Sequence, residues 1–320
     1  MSGVRALRIC SLLPSATEIV AVLGLVDRLV GRSAECDFPP TVSRLPVVTS
    51  ARIDTENLTS AAIDAAVRDA LADERSLYAV DADLIAQLAP DLILTQDLCE
   101  VCAVASGDGA LCALGIETLA LDAHSLDEIA RSILLLAARL GVPARGQGVV
   151  AAMEAKITLA RARAHGLPGP SRLRQRVARP TVRRRPLAAG DGRRCGRRRG
   201  ARAAGAAVVS DQLGGGPAAQ PELVVLACCG FDVDRTVREV TRAGVPNLGC
   251  LIVAVDANAY YSRPASRVAD GVMQLVHLFH PDVAPDPQLR YHRLGGVVGA
   301  GGESRTLAAT SRAAPCFTQM

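Results

Sequence analysis

Aromatic residues and lysine are scarce in this 320-residue chain: tryptophan is absent, aromatic residues make up 2% of the sequence, and Lys156 is the one lysine. Long apolar runs are missing too, since none approaches the roughly 18 to 20 residues of a membrane-spanning helix. Residues 1–13 lack the basic, apolar and small-residue order of a secretory signal peptide. With 49% hydrophobic and 21% charged residues, the composition is globular, and we expect a soluble chain without an export signal.

Common enzyme signatures are also missing. Neither a Walker loop nor a Gly-rich dinucleotide fingerprint follows the first predicted strand, so no motif points to an ATPase or a dehydrogenase. Four of the five histidines lie near predicted helix ends or in the last predicted helix, and no nucleophile triad can be argued. We therefore expect a protein that is not an enzyme and has no catalytic cofactor.

Positive charge is concentrated in one segment. Residues 171–202 contain 13 arginines and one acid, Asp191, and so carry +12, whereas the whole chain carries +4. The remainder is therefore at −8. This pattern indicates a basic insert in a mildly acidic protein and not a basic face. Between Pro170 and Pro217 the sequence shows no helix or strand pattern.

Elsewhere short apolar runs alternate with helical patterns, which predicts an α/β fold. Two capping boxes, Ser15 to Glu18 and Ser125 to Glu128, mark predicted helix starts. Two consecutive helices near residues 125–164 are too long for simple crossovers, and we interpret them as a spine between two lobes. The predicted segments are an N-terminal α/β lobe (1–122), the helical spine (123–167), an anomalous Arg-rich segment (168–217), the remainder of a C-terminal α/β lobe (218–282) and an unstructured tail (283–320).

Several polar and aromatic groups follow predicted strands. Open α/β sheets bind ligands beyond the carboxyl ends of their strands, where residues 14–18 and 96–102 lie. Residues 35–40 combine two acids, a thiol and an aromatic ring before a Pro-Pro turn, although a solvated loop fits them equally well. Half of the aromatic residues lie near predicted strand ends, which hints at a cleft for a flat, polar ligand: Phe38, Phe231, Tyr260 and Tyr261.

Cys99 and Cys102 form the sharpest short motif, because two cysteines at this spacing can bind a soft metal or act as a redox pair. Zinc needs two further ligands, of which Cys36 could supply one. A metal- or redox-binding protein that uses Cys36, Cys99 and Cys102 therefore stays open as an alternative to an ordinary loop. Three other cysteines lie in apolar contexts that are typical of buried side chains: Cys10, Cys112 and Cys250.

Nucleic-acid binding through the arginines of residues 172–202 is a weaker alternative. That segment has neither a pattern of ordered structure nor interleaved aromatic residues. We expect no nucleic-acid partner.

A series of longer motifs carries a family resemblance. They are, in order, residues 9–20, 29–33, 35–40, 78–81, 90–97, 99–104, 229–232, 254–260 and the pair Arg263-Pro264. Over about residues 7–167 and 218–282 the chain resembles the cobalamin-binding substrate-binding proteins of ABC importers, in the iron-siderophore and cobalamin periplasmic-binding superfamily. The joint occurrence of these motifs in order is more specific than any one of them.

The resemblance implies two Rossmann-like lobes joined by a rigid helical spine, the class III periplasmic-binding-protein architecture. It implies that a corrinoid, cobalamin, is bound between the lobes and delivered to the permease and ATPase subunits of an ABC transporter outside the cytoplasm. We expect a monomer. The implied ligand-binding residues are Pro14, Ser15, Thr17, Glu18, Cys36, Asp37, Phe38, Asp97, Cys99, Glu100 and Cys102 on one wall, and Gly230, Phe231, Asn258 and Tyr260 on the other.

The sequence departs from these relatives at three places. Ala34 stands where many of them have His, so ligation by that His is not expected. Residues 171–217 replace a segment that contains Trp, an apolar helix and a strand in relatives. Because a shifted frame of GC-rich DNA encodes mainly Arg, Gly, Ala and Pro, we interpret this segment as a compensated frameshift that leaves the second lobe incomplete. The tail after Pro281 fits a similar origin.

Overall fold

A computed structural model describes residues 6–53, 77–97, 104–167, 173–176, 223–244 and 249–295, together with the helical residues 62, 65–67 and 69–70. The strands of this described part are β1 (Ile9–Ser11), β2 (Leu29–Arg32), β3 (Thr49–Ala51), β4 (Tyr78–Val80), β5 (Leu92–Thr95), β6 (Thr118–Ala120), β7 (Leu173–Arg176), β8 (Leu223–Leu226), β9 (Leu251–Val255) and β10 (Tyr291–Gly295). The α-helices with defined bounds are α1 (Pro14–Val22), α2 (Ala82–Leu88), α3 (Gly109–Leu114), α4 (Leu126–Arg139), α5 (Pro143–Ala164), α6 (Val233–Ala243), α7 (Ala257–Tyr260) and α8 (Val268–Phe279).

The N-terminal sheet is parallel, with the strand order β2-β1-β5-β6. Successive side chains of a strand point to opposite faces, and both faces of the central strands are covered. Ile9 and Leu94 pack in one buried cluster with Ile19 of α1, while Cys10 and Ile93 pack in another on the opposite face. This double burial explains why β1 and β5 are continuous apolar runs. Strands β3 and β4 form a separate antiparallel pair.

The C-terminal sheet has the order β10-β9-β8-β7. Strands β7, β8 and β9 are parallel, and β10 pairs antiparallel with β9. Val225, Val253 and Val255 are fully buried and pack with Leu278 of α8. The chain is therefore an α/β protein built on parallel strands, as its sequence predicts.

Helices α4 and α5 connect the two sheets along the chain. Ser125 caps α4 by accepting a hydrogen bond from the Glu128 amide, and the Glu128 carboxylate accepts one from the His124 amide at 2.6 Å. The predicted cap at this position is thus confirmed. Helix α5 packs against both α4 and α8. Among the described residues, neither α5 nor any other helix is long and apolar enough to cross a membrane.

The other predicted capping box is wrong. Helix α1 starts at Pro14, whose missing amide proton suits the first helical position, and its N-cap residue Leu13 makes no side-chain cap. Ser15 therefore lies inside the helix, and the Glu18 carboxylate is used elsewhere in the structure.

Two strands correct the predicted segments. Strand β7 lies within 168–217, where no pattern was found, and β10 lies within the predicted unstructured tail. Each pairs with one described strand only, at an outer position of the C-terminal sheet. A strand at such a position needs backbone pairing but no apolar run on both faces, so hydrophobic periodicity does not reveal it. The other segment boundaries stay predictions.

Candidate functional site

Glu18 of α1 is buried, with 4% of its surface exposed, although it is charged. Its partners come from the far end of the chain. Arg267 donates from Nε to Oε2 at 2.9 Å and from Nη2 to Oε1, and Arg263 donates from Nη1 to Oε1 at 3.1 Å. Buried carboxylates are tolerated when they are paired in this way. Glu18 thus connects the N-terminal sheet to the segment that leads into α8.

Arg263 extends these contacts to the loop that follows β2. Its Nη1 donates to the Asp37 carboxylate and its Nη2 to the Glu35 carbonyl oxygen at 3.1 Å. From α7, the Asn258 amide donates to the other Asp37 oxygen at 3.2 Å. We call Glu18, Asp37, Asn258, Arg263 and Arg267 the bridging cluster, because its hydrogen bonds join the two sheets.

The bridging cluster is balanced in charge. Burial lowers the pKa of the Arg263 guanidinium, but its hydrogen bond to Asp37 and the charges of Asp37 and Glu18 raise it above the ordinary value. For Asp37 burial has the opposite effect and raises the pKa of the carboxyl. The contacts with Arg263 outweigh burial and lower that pKa below its ordinary value. Two guanidinium groups face two carboxylates, so the formal charges of the cluster sum to zero.

Aromatic rings border the bridging cluster. The Arg267 guanidinium carbon lies 3.8 Å from the centroid of the Phe38 ring and 5.5 Å from that of Tyr260. Such cation–π contacts hold a ring against a charge while its other surface stays accessible. Phe38 is 38% exposed and is among the few large apolar side chains that face solvent. The contact between the sheets thus ends in an apolar, aromatic rim.

The structure brings together five of the residues predicted for the two walls: Glu18, Asp37, Phe38, Asn258 and Tyr260. In sequence they form two separate groups, one before residue 40 and one after residue 257. The hydrogen bond from Asn258 to Asp37 and the pair of arginines link the two groups.

Four predicted residues of the first wall are buried beneath this contact, namely Pro14, Ser15, Thr17 and Cys36. The Cys36 thiol is fully buried, 3.0 Å from the Thr17 hydroxyl and 3.1 Å from the Ser33 hydroxyl. These contacts anchor the loop that presents Asp37 and Phe38, and they leave the sulfur without exposed surface in the described conformation. The contact of Cys36 with a ligand stays a prediction.

Of the remaining predicted residues, Phe231 adjoins the bridging cluster, because its carbonyl oxygen accepts a hydrogen bond from the Asn258 backbone amide at 3.1 Å. The Asp97 carboxylate accepts hydrogen bonds from the Ser106 amide and hydroxyl, and its own amide donates to Asp122 at 2.7 Å. Gly230 has a positive φ of 77° in the turn after β8. The Phe231 ring lies 4.2 Å from the guanidinium of Arg235. Cys99, Glu100 and Cys102 lie outside the described residues.

The described cysteines give the metal alternative no support. Burial raises the pKa of Cys36, and it raises that of Cys10 to about 12. Cys10 and Cys250 are buried as predicted, but Cys112 is exposed, because Leu111 and not Cys112 occupies the inner face of α3. Within the part that the structure describes, no three His, Cys, Asp or Glu side chains are grouped to hold a metal ion.

A sequence comparison identifies the family. The profile of a family described as periplasmic binding protein matches residues 9–178, just over half of the chain. The chain belongs to the periplasmic binding protein family. Members of this family are non-catalytic: they bind a solute outside the cytoplasm and work with the permease and ATPase of an ABC transporter. No curated protein matches the sequence at the significance that we required.

Solved structures show the same periplasmic binding protein fold. A heme-binding protein from Pseudomonas aeruginosa is 17% identical and superposes with a TM-score of 0.56 over 91% of this chain and 99% of its own. A heme-binding protein from Roseiflexus sp. RS-1 is 19% identical, with a TM-score of 0.55 over 87% and 99%. A possible iron-binding protein from Staphylococcus epidermidis is 15% identical, with a TM-score of 0.55 over 86% and 100%. At these identities the likeness establishes the fold.

Arg263 and Arg267 were not among the site residues predicted for this periplasmic binding protein. The family resemblance includes the pair Arg263-Pro264, but an arginine in an arginine-rich chain does not stand out. One feature of the sequence points to these arginines: Glu18 lies in an apolar helix, and a carboxylate that is buried there requires a cationic partner.

A groove of about 560 Å³ lies at the other end of α1, between α1, α5 and α8. It is lined by Leu23, Arg145, Met153, Lys156 and Asp270, among others, and by none of the predicted ligand-binding residues. The bridging cluster, and not this groove, is where the predicted walls meet.

Proposed function

We propose that this periplasmic binding protein binds a corrinoid at the cleft bordered by the bridging cluster and delivers it to an ABC importer. The observation that carries the proposal is the charge balance of the cluster. Arg263 and Arg267 are already paired with Glu18 and Asp37. They offer no uncompensated positive charge to a ligand.

This balance favours a ligand without carboxylates. A buried anionic group needs a cationic partner. An anion that took Arg267 would remove two of the three hydrogen bonds of Glu18 and leave this buried carboxylate with Arg263 alone, which Asp37 shares. Cobalamin carries neutral amides around its rim, whereas heme carries two propionates. The amide of Asn258 and the carboxylate of Asp37 are suitable partners for amide groups.

The aromatic rim supports the same ligand. A corrin ring has a large apolar face, and binding sites for such ligands combine apolar and aromatic surface with a few polar groups. Phe38 and Tyr260 supply the rings, held by Arg267 at 3.8 Å and 5.5 Å from their centroids. Glu18, Asp37 and Asn258 supply or position the polar groups.

Heme is the competing ligand. Two of the solved structures named above are heme-binding proteins and a third is described as a possible iron-binding protein. Their fold does not distinguish a corrin from a porphyrin, so the ligand has to be measured on this chain.

Calorimetric titration with cyanocobalamin and with hemin separates the two. We expect saturable binding of one cyanocobalamin per chain, and hemin binding weaker by at least about tenfold, or 1.4 kcal/mol. Asp37→Ala should weaken cyanocobalamin binding, and Gln147→Ala on the exposed face of α5 should not. Tighter hemin binding, or no binding of cyanocobalamin by protein with a folded circular dichroism spectrum, would contradict the proposal.

We also propose that a compensated frameshift affects residues 177–217. The sequence analysis places the start of this segment at residue 171. The match of the family profile to residue 178 and the pairing of β7 in the C-terminal sheet support a later start, after β7. Resequencing of the gene should reveal another frame that encodes a segment with tryptophan and an apolar helical pattern. If no frame does so, the segment is a true part of the protein.

A further inference from the structure

We propose that Glu18, Arg263 and Arg267 are positioning residues that fix the opening of the cleft before any ligand arrives. The hydrogen bonds of the bridging cluster hold the two sheets in one relative position in the ligand-free protein. The proposal does not depend on which ligand the cleft binds.

The first argument is the number of hydrogen bonds that the buried Glu18 and Arg263 side chains make across the two sheets. Glu18 accepts three hydrogen bonds through its two oxygens, and Arg263 donates to Glu18, Asp37 and the Glu35 carbonyl. The side chains of Glu18 and Arg263 are 3% and 7% exposed. Paired charges that are shielded from water interact more strongly than exposed pairs. Separation of the sheets would break all these hydrogen bonds together.

The second argument is the placement of the contacts. The start of α8 is attached to two different elements one helical turn apart. Arg267 binds Glu18 of α1, and Asp270 binds Lys156 of α5 at 2.6 Å. A helix held at one point can pivot, whereas one held by two elements cannot do so without breaking one attachment. The pairs differ in burial, since the side chains of Lys156 and Asp270 are 49% and 28% exposed.

This difference provides a matched pair of variants. Glu18→Gln/Arg267→Gln removes one negative and one positive charge and leaves the Arg263–Asp37 pair balanced. Lys156→Gln removes the exposed attachment of the same helical turn. We expect the double variant to release the sheets, whereas the Lys156 variant should keep their spacing, because exposed pairs contribute little.

The measurement is the distance between two spin labels on the ligand-free full chain. Val47 and Val283 are exposed, at 42% and 51%. Val47 pairs with Arg32 of β2 in the N-terminal sheet, and Val283 follows α8, which packs on the C-terminal sheet through Leu278. Labels attached there through encoded azide side chains avoid the native cysteines. We expect one narrow distance distribution for the wild-type protein and for Lys156→Gln. For Glu18→Gln/Arg267→Gln we expect a broader distribution that extends to longer distances.

Two outcomes overturn the proposal: a broad distribution in the ligand-free wild-type protein, or an unchanged narrow one in the folded double variant. Circular dichroism establishes that each variant is folded. If the double variant does not fold, Arg267→Lys takes its place. It keeps the charge but loses the two-pronged contact with Glu18, and the same broadening is expected. Because no ligand is added, a failure of cobalamin binding does not affect the result.

Discussion

Asp37 is the residue of the bridging cluster whose protonation should be measurable. Although burial raises its pKa, the contacts with Arg263 lower it below the ordinary value. A carboxyl whose pKa is depressed by folding stabilises the folded state above its unfolded pKa, and this contribution is lost as the pH falls through the folded pKa. Since the side chain is 58% exposed, we expect at most about 1 kcal/mol.

Asp37→Asn should therefore be less stable than the wild-type protein near pH 7, and the difference should vanish in acid. Urea unfolding at pH 7, 5 and 3 measures this, with Glu35→Gln as the control, because Glu35 is an exposed acid two residues away in the same loop. A difference that stays constant from pH 7 to pH 3 would show that the Asp37 charge is not its source.

Gln274 shows the cost of a buried polar side chain. It is fully buried, accepts a hydrogen bond from the Tyr261 hydroxyl at 2.8 Å and donates to the Leu289 carbonyl at 3.2 Å. Gln274→Ala removes the donor to the Leu289 carbonyl and leaves the Tyr261 hydroxyl with the Gly271 carbonyl as its acceptor. It should lower the free energy of unfolding by about 1 to 3 kcal/mol. Gln147→Ala, on the exposed face of α5, should change it by less than about 0.5 kcal/mol. Equal losses in urea unfolding would contradict this assignment.

At this scale the sequence indicated several site residues but not their contacts. Glu18, Asp37, Asn258 and Tyr260 could be selected because they follow buried strands. The hydrogen bonds that join them could not be predicted, because Glu18 and Arg263 are 245 positions apart in the sequence. Local spacing contains no information on contacts between such distant residues. The burial of Cys36 could not be predicted for the same reason: it depends on Thr17 and Ser33 packing around the thiol in three dimensions.

Among the elements, α5 offers a matched test of helix packing. A Cβ atom on Gly146 would lie closer to the Cβ of Ala137 in α4 than carbon atoms can approach, whereas one on Gly148 would meet nothing within 4 Å. Gly146→Ala should therefore destabilise the protein by about 1 to 3 kcal/mol through overpacking. Gly148→Ala should stabilise it by about 0.5 to 1 kcal/mol, because alanine favours a helix over glycine. Urea unfolding of the two variants gives the signs, and a shared sign would refute the close packing of α4 and α5.

The elements that were predicted well are those whose sequence pattern reflects burial. Strands β1, β5, β8 and β9 are apolar because both of their faces are covered, and α4 shows one apolar face. Strands β7 and β10 were missed, because each lies at an outer position of the described sheet and has polar residues in its sequence. The start of α1 was assigned to a cap because Ser15 and Glu18 have the right spacing, yet Pro14 sets that helix start and the Glu18 carboxylate binds arginine.

For the molecule as a whole, the two sheets are joined by the helices α4 and α5 and by the bridging cluster. The chain order of α and β segments was enough to predict the first connection. The second depends on which loops meet when both sheets are folded. Neither connection needs the net charge of +4, which comes mainly from the arginines of residues 171–202.

The proposed ligand-binding site includes residues of both sheets, which leads to a prediction for the whole molecule. At a cyanocobalamin concentration of about 100 times the Kd, binding should raise the free energy of unfolding by about 2.7 kcal/mol. Locally, hydrogen exchange should slow in residues 33–38 and also in α7, since the proposed site takes Asp37 and Phe38 from the loop after β2 and Asn258 and Tyr260 from α7. Exchange in the exposed part of α5 near Gln147 serves as the internal reference. Because the two contact segments belong to different sheets, slowing in only one of them would mean that a single sheet holds the ligand, and the cleft would then be the wrong site.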